Sequence, residues 1–327
     1  MTDRFITYTE AIREAMREAL IRDPGVFLLG EDLGVYGGAF GVTAGLLEEF
    51  GPERVRDTPI SETGFVGAAV GAALAGLRPI VELMFSDFMA VCYDQIINQA
   101  AKLHYMSGGH LRVPMVIRTP AGGGTGAAAQ HSQSLEAMYC NVPGLKVVAP
   151  STPYDAKGLL HSAILDDNPV IFLEQKLLYP LTGPVPEGEY SIPFGVADIK
   201  RPGGDVSVIT YGRMVQTALA AAETLAAEGI DAEVLDLRSL SPLDSEAILT
   251  TAAKTGRVLV LHEAVQFGGF GGEIAATIAE SEVSRQLKTP IKRLGGGFSP
   301  VPFSPGLEQA AFPDEERVLE AVRSLMN

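Results

Sequence analysis

The sequence predicts an α/β fold, a parallel sheet with helices on both faces followed by a smaller second α/β domain. Three observations lead there. Short β-branched and apolar runs alternate with helical patterns almost from end to end. The runs are apolar throughout, as strands covered on both faces are. The alternation fails once, between about Leu178 and Gly204, where Pro180, Pro184, Pro186, Pro193 and Pro202 punctuate the chain, and then restarts.

The elements follow in order. Ile12, Met16, Ala19 and Leu20 recur at helical spacing, and the Asp23-Pro24-Gly25 turn stops that helix before the strand run Val26 to Leu29. A helix is expected from near Ser61. A strand from Pro79 to Leu83 leads into one long helical stretch from about Asp87 to Met106. Val113 to Ile117, Leu145 to Val148 and Val170 to Leu173 read as further buried strands. The proline-rich stretch is taken as the linker, giving domains of 1–190 and 191–327. Beyond it come Val206 to Ile209, a helix carrying Val215, Leu219, Ala222 and Leu225, Ala232 to Leu237, a helix from Asp244, and Val258 to Leu261.

Composition narrows the function classes. The 327 residues suggest about two domains, and 46% apolar content with 20% charged residues and a mean hydropathy of +0.18 is a globular composition leaning toward buried interfaces. A net charge of −15 and a pI near 4.8 argue against nucleic acid or an anionic membrane surface as partner. Cys92 and Cys140 lie far apart, outside any CxxC pair, and read as buried free thiols in a reducing compartment. With no signal-like apolar core at the N-terminus and no apolar stretch of membrane-spanning length, a cytoplasmic protein is expected.

Three segments carry candidate chemistry. In Asp57-Thr-Pro-Ile-Ser-Glu-Thr-Gly-Phe-Val-Gly, a helix from Ser61 puts Glu62 in the first turn, followed by Gly64, Gly67 and Gly71, which allow a backbone or a flat ligand to come close. Glu62 can equally do no more than complement the helix dipole. A dinucleotide fingerprint does not fit, because the GxGxxG order is not met. The second segment, Gln130-His-Ser-Gln-Ser, follows the flexible Ala121-Gly-Gly-Gly-Thr-Gly, so His131 stands where open α/β sheets place ligand groups, or else simply bonds a neighbouring backbone. The third, Pro79 to Tyr93 with Glu82, Met84, Phe85, Asp87 and Phe88, reads as a strand ending in an aromatic cluster. Among the other histidines, His104 and His161 fall on helices, His110 in a turn, and His262 at a strand end, held in reserve. No phosphate loop occurs, and Gly268-Gly-Phe-Gly-Gly-Glu reads as a close-packing turn.

Taken in order, Leu29-Gly-Glu-Asp, Asp57-Thr-Pro-Ile-Ser-Glu, Gly76-Leu-Arg-Pro-Ile, Asp94-Gln-Ile-Ile-Asn-Gln-Ala-Ala-Lys, Tyr105-Met-Ser-Gly-Gly, Gln130-His-Ser-Gln-Ser, Pro143-Gly-Leu-Lys-Val-Val and Asp155-Ala-Lys-Gly-Leu resemble the β subunits of thiamine-dependent 2-oxo acid dehydrogenase components. The segments at 82–88, 238–244 and 300–308 look most like the acetoin dehydrogenase branch, with pyruvate- and branched-chain-specific subunits sharing most blocks. The resemblance implies a transketolase-like pyrimidine-binding domain and a smaller transketolase-like C-terminal domain. It further implies that Glu62 bonds a pyrimidine ring nitrogen of thiamine diphosphate, a position that is costly for a carboxylate unless it shares a proton. In the same terms Phe88 packs on the pyrimidine beside Met84, Ile60 offers a backbone group to its amino end, and His131 positions the substrate and passes a proton as the acyl group moves to a lipoyl arm. Branched-chain relatives carry glutamine and tyrosine where this chain has Met84 and Phe88. A structural potassium ion held by backbone groups of Ala163, Asp166 and Asn168 is a further implication. The family's diphosphate motif is missing from this chain, so the resemblance assigns magnesium and the diphosphate to an α subunit in an assembly of two α and two β chains. A lipoyl acyltransferase then receives the acyl group. A non-catalytic docking subunit of the same complex is the competing expectation.

Overall fold

The computed structural model describes residues 4–327, and the chain divides into two compact units. The first runs to Ala121 and resumes over Met138–Phe194. The second joins Gly122–Ala137 to Gly195–Asn327.

In the first unit the helix Tyr8–Arg22 begins with a capping box, Thr7 Oγ1 accepting from the Glu10 amide at 3.1 Å while the Thr7 amide donates to Glu10 Oε2 at 2.7 Å. Such a cap contributes about 1 kcal/mol. The four apolar residues picked out by spacing, Ile12, Met16, Ala19 and Leu20, are all buried. They face a core shared with the helix Pro153–Leu165 and the sheet. Six strands of this unit pair in parallel in the order Lys146–Val148, Val170–Gln175, Val116–Ala121, Arg78–Glu82, Val26–Gly30, Val55–Asp57. Because all run the same way, the segments after Gly30, Asp57 and Glu82 leave from one edge, where open α/β sheets bind ligands.

Two expectations are corrected here. The stretch from Asp87 to Met106 is not one helix but a 3₁₀ turn at Ser86–Ala90, a π turn at Gln95–Ala100 and a last turn at Leu103–Met106. Close approach of another segment accompanies the break, since a Cβ on Gly144 would sit 2.0 Å from the Ala101 carbonyl oxygen. The proline-rich stretch holds two strands rather than only irregular chain. Thr182–Val185 pairs antiparallel with Arg4–Thr7, and Asp198–Arg201 lies antiparallel on Ala232–Asp236. Both are sheet-edge strands of four residues, the kind that tolerate proline such as Pro184.

The second unit's sheet runs Lys292–Gly296, Val258–Val265, Val206–Thr210, Ala232–Asp236, then the antiparallel edge strand Asp198–Arg201. Its core is closed by the helices Met214–Ala227 and Glu315–Met326. The glycine run after the strand Val258–Val265 is a close-packing turn around His262: a Cβ on Gly271 or Gly269, or on Gly295 of the neighbouring strand, would come within 2.5 to 2.8 Å of the ring. His262 is wholly buried, its Nδ1 lies 3.0 Å from the Ala264 carbonyl oxygen and its Nε2 has no hydrogen-bond partner. Burial lowers its pKa to about 4, so the ring is neutral at physiological pH. Cys92 is buried as expected, whereas Cys140 is only half-buried. Among the described residues, no helix is long and apolar enough to cross a membrane.

Candidate active site

Glu62 opens the helix Glu62–Leu74, which buries Phe65, Val66, Ala69, Val70 and Ala73 and leaves Thr63, Gly64, Ala68 and Gly71 exposed. The apolar face fixes the rotation of the helix, and with it the direction of the first turn. Glu62 is 7% exposed, although the preceding Ile60 is 83% exposed. Thr63 Oγ1 donates to the Val91 carbonyl at 2.7 Å, tying this turn to the segment that carries Met84 and Phe88. The buried Cys92 thiol registers the same proximity, since burial first and then the charge of Glu62 push its pKa up to about 12.

One residue of this site was not singled out from the sequence. Glu31, directly after the strand Val26–Gly30, is 5% exposed and faces the same place. Burial and the neighbouring Glu62 charge raise its pKa above the usual carboxylate range, against a backbone hydrogen bond from Ser61 that lowers it. Its Oε1 has no hydrogen-bond partner. Burial and a neighbouring carboxylate both favour the protonated form of Glu31. The only signal for Glu31 in the sequence was its place in the Leu29-Gly-Glu-Asp block.

Met84 and Phe88 are half-buried. Phe88 meets Phe85 edge-on at 5.8 Å, Phe85 meets Phe40 at 5.9 Å, and Phe40 stacks on Tyr179 at 5.2 Å. Deeper in this unit lies a buried ionic network. Arg118 donates from Nε and Nη2 to the two oxygens of Glu174, at 2.7 and 2.9 Å, and from Nη1 to Glu82 Oε2 at 2.7 Å. The Tyr179 hydroxyl donates to Glu174 at 2.8 Å. Glu82 ends the strand that feeds Met84, so this network holds the root of the aromatic wall.

His131 belongs to the second unit, on the segment Gly122–Ala137, and is half-buried. Its amide approaches the Ala128 carbonyl at 3.4 Å across a turn in which Ala128 adopts φ of 60°. Ala163, Asp166 and Asn168 lie in the first unit, at the end of the helix Pro153–Leu165. Asn168 donates from its amide and side chain to Asp166 Oδ1 at 2.9 and 3.0 Å, and Lys146 bonds Asp166 Oδ2. Arg78 Nη1 donates to the carbonyls of Ile164 and Asp166, both at 3.0 Å. Two cationic side chains therefore already serve this loop.

Residues 4–182 match the transketolase pyrimidine-binding domain and residues 195–318 the transketolase C-terminal domain. The β subunit of acetoin:2,6-dichlorophenolindophenol oxidoreductase from Bacillus subtilis is 49% identical, with 99% of this chain and 98% of that protein covered. The β subunit of the pyruvate dehydrogenase E1 component from Rickettsia felis is 50% identical, and the 2-oxoisovalerate dehydrogenase β subunit from Bacillus subtilis 49%, each covering 98% of both chains. Among solved structures, a split-gene transketolase in an inactive β4 tetramer superposes with a TM-score of 0.79 over 98% of both chains at 24% identity, a likeness of fold. The chain accordingly belongs to the thiamine-diphosphate-dependent family of β subunits of 2-oxo acid and acetoin dehydrogenase components.

Proposed function

We propose that this chain is the cofactor-activating half of a pyruvate-type 2-oxo acid or acetoin dehydrogenase component, completed by an α subunit in an assembly of two α and two β chains and working in the cytoplasm. The observation that carries the reading is the buried pair Glu31 and Glu62 at the ligand edge of a parallel sheet, with one Glu31 oxygen lacking a partner. Such a pair suits a flat heterocycle that offers both hydrogen-bond donors and acceptors, as the aminopyrimidine of thiamine diphosphate does.

When bound, thiamine diphosphate supplies the nucleophilic carbon and the electron sink for cleaving the bond beside the substrate carbonyl. In this reading Glu62 holds a proton at the pyrimidine ring nitrogen, and beside it stands Glu31, whose carboxyl is shifted toward its neutral form by burial and the Glu62 charge. Phe88 and Met84 cover the ring and exclude water, and Ile60 offers its backbone to the amino end. His131 orients the substrate and passes a proton as the acyl group leaves for the lipoyl arm of an acyltransferase. Magnesium and the diphosphate fall to the α subunit. A potassium ion at Ala163, Asp166 and Asn168 would have to share the Asp166 carbonyl, which already accepts from Arg78.

The reading is tested by copurifying the chain with its α partner and following dye reduction with pyruvate, branched 2-oxo acids and acetoin in turn. No turnover with any of them defeats it. The isolated chain is expected to bind thiamine diphosphate weakly, because the pyrimidine end alone lacks the magnesium clamp. Titration calorimetry showing magnesium-dependent binding well below about 1 μM by the pure chain contradicts the divided site. His131→Ala in the assembled component is expected to cut turnover with a lipoyl acceptor by about 10²-fold or more while leaving cofactor affinity nearly unchanged. An equal fall in both quantities would show that His131 has been misplaced.

A further inference from the structure

The segment that carries His131 is built as an arch. Between its ends, Ala129, Gln130 and residues 132–135, the neighbours of His131 on both sides, border a cavity of about 540 Å³ whose far side includes Ala264, Phe298 and Phe312, so packing alone does not hold the crown in place. The ends are held instead by hydrogen bonds to residues far away in the chain. At the first end Glu263 Oε1 accepts the Gly123 amide at 2.7 Å, while Glu263 Oε2 accepts from Arg213 Nε at 2.6 Å. Glu308 accepts the amides of Gly124 and Gly126 with its two oxygens, at 2.8 and 3.0 Å. At the other end the Tyr211 hydroxyl donates to Glu136 at 2.6 Å. Glu136, Glu263 and Glu308 are 2 to 4% exposed.

A surface loop rich in glycine needs none of this. Burying three carboxylates costs free energy unless each is fully bonded, and here at least two of them spend their bonding capacity on the backbone or neighbours of one loop. Hydrogen bonds to a charged acceptor are roughly twice as strong as neutral ones. Gly123 is further confined by Phe312, whose ring a Cβ at that position would meet at 2.3 Å.

We infer that Glu308, with Glu263 behind it, is a positioning residue that sets where His131 stands during acyl transfer, acting through the backbone of residues 122–137. The inference rests on the acyl-transfer role proposed for His131, and the tests separate the two. Glu308→Gln is the sharpest variant, because two amide N–H groups need two acceptors and glutamine offers one acceptor and a donor that opposes the second amide.

In the assembled component, Glu308→Gln is expected to raise hydrogen exchange across residues 122–137 by about tenfold or more, the strength of one hydrogen bond to a charged acceptor. Acyl transfer to lipoamide should fall about tenfold in kcat, with thiazolium proton exchange, which precedes any contact with substrate, within about twofold of the parent. Glu308→Asp, which keeps both acceptors on a shorter stem, should recover part of the loss. Adding Glu308→Gln to His131→Ala should cost nothing more in acyl transfer. Unchanged exchange in the loop, or losses that add to those of His131→Ala, overturns the inference. If exchange rises while His131→Ala alone leaves acyl transfer intact, the role of His131 is what fails, and the functional half of this inference falls with it.

Discussion

Glu62→Gln in the assembled component is expected to slow proton exchange at the thiazolium carbon by about 10²- to 10⁴-fold, the usual contribution of a positioned acid-base group. Glutamine keeps the size of the side chain and the start of the helix Glu62–Leu74, but it cannot hand over or take up a proton. The loss should be the same for every substrate, because the step precedes any contact with substrate. Deuterium exchange followed by NMR after acid quench isolates it. If Glu62 served only the helix dipole, its replacement would cost at most about 1 kcal/mol of stability and leave exchange alone. Near-normal exchange in a folded, cofactor-loaded variant therefore removes Glu62 from the chemistry, whatever happens to overall turnover.

Arg118→Met is expected to destabilise the first unit by about 3–5 kcal/mol, the usual cost of removing one partner from a buried ion pair. Arg118 is 1% exposed, and without it Glu82 and Glu174, at 4% and 0%, would face each other uncompensated. Burial already works against the charge of Glu82, with Arg118 opposing that and Glu174 adding to it. Urea unfolding read by circular dichroism should show the midpoint falling with little change in slope. A variant carrying Arg118→Met, Glu82→Gln and Glu174→Leu should regain much of the loss, since a network replaced as a whole leaves no bare charge. A single variant that loses under about 1 kcal/mol would mean that the network does not hold the root of the Met84–Phe88 wall.

How far the sequence was legible depended on whether the deciding contact was local. The runs Val26–Leu29 and Val170–Leu173 are covered on both faces, so their side chains are apolar whichever way they point, and they declare themselves. The helix Tyr8–Arg22 announced its buried face by spacing alone. The strands Thr182–Val185 and Asp198–Arg201 did not, because edge strands need no apolar run and admit proline. The break in the stretch from Asp87 to Met106 falls where Gly144 comes against Ala101, a contact that no local pattern of that stretch contains. At the candidate site the same division holds. The first-turn place of Glu62 could be read from Ser61 and the small residues after it. Its closeness to Glu31 could not, since it arises only when two parallel strands end at the same edge. Nor could spacing pair Gly124 with a glutamate 184 positions later.

The glycine cage around His262 limits the order in which this part of the chain can change. A methyl group at Gly271 collides with the ring at 2.5 Å, but with the ring gone its next neighbour is a side-chain carbon of Val260 at 3.1 Å. Replacement of His262 by a small residue thus leaves alanine at Gly271 only the Val260 side chain to push aside by a few tenths of an ångström, whereas the reverse order passes through a clashing intermediate. Gly269 gains nothing from the exchange, because the Val265 carbonyl oxygen stands 2.4 Å from where its Cβ would be. Of two glycines that look alike on paper, one is a lasting requirement of the backbone and the other is conditional on a single histidine, so drift among descendants should find them unequally free.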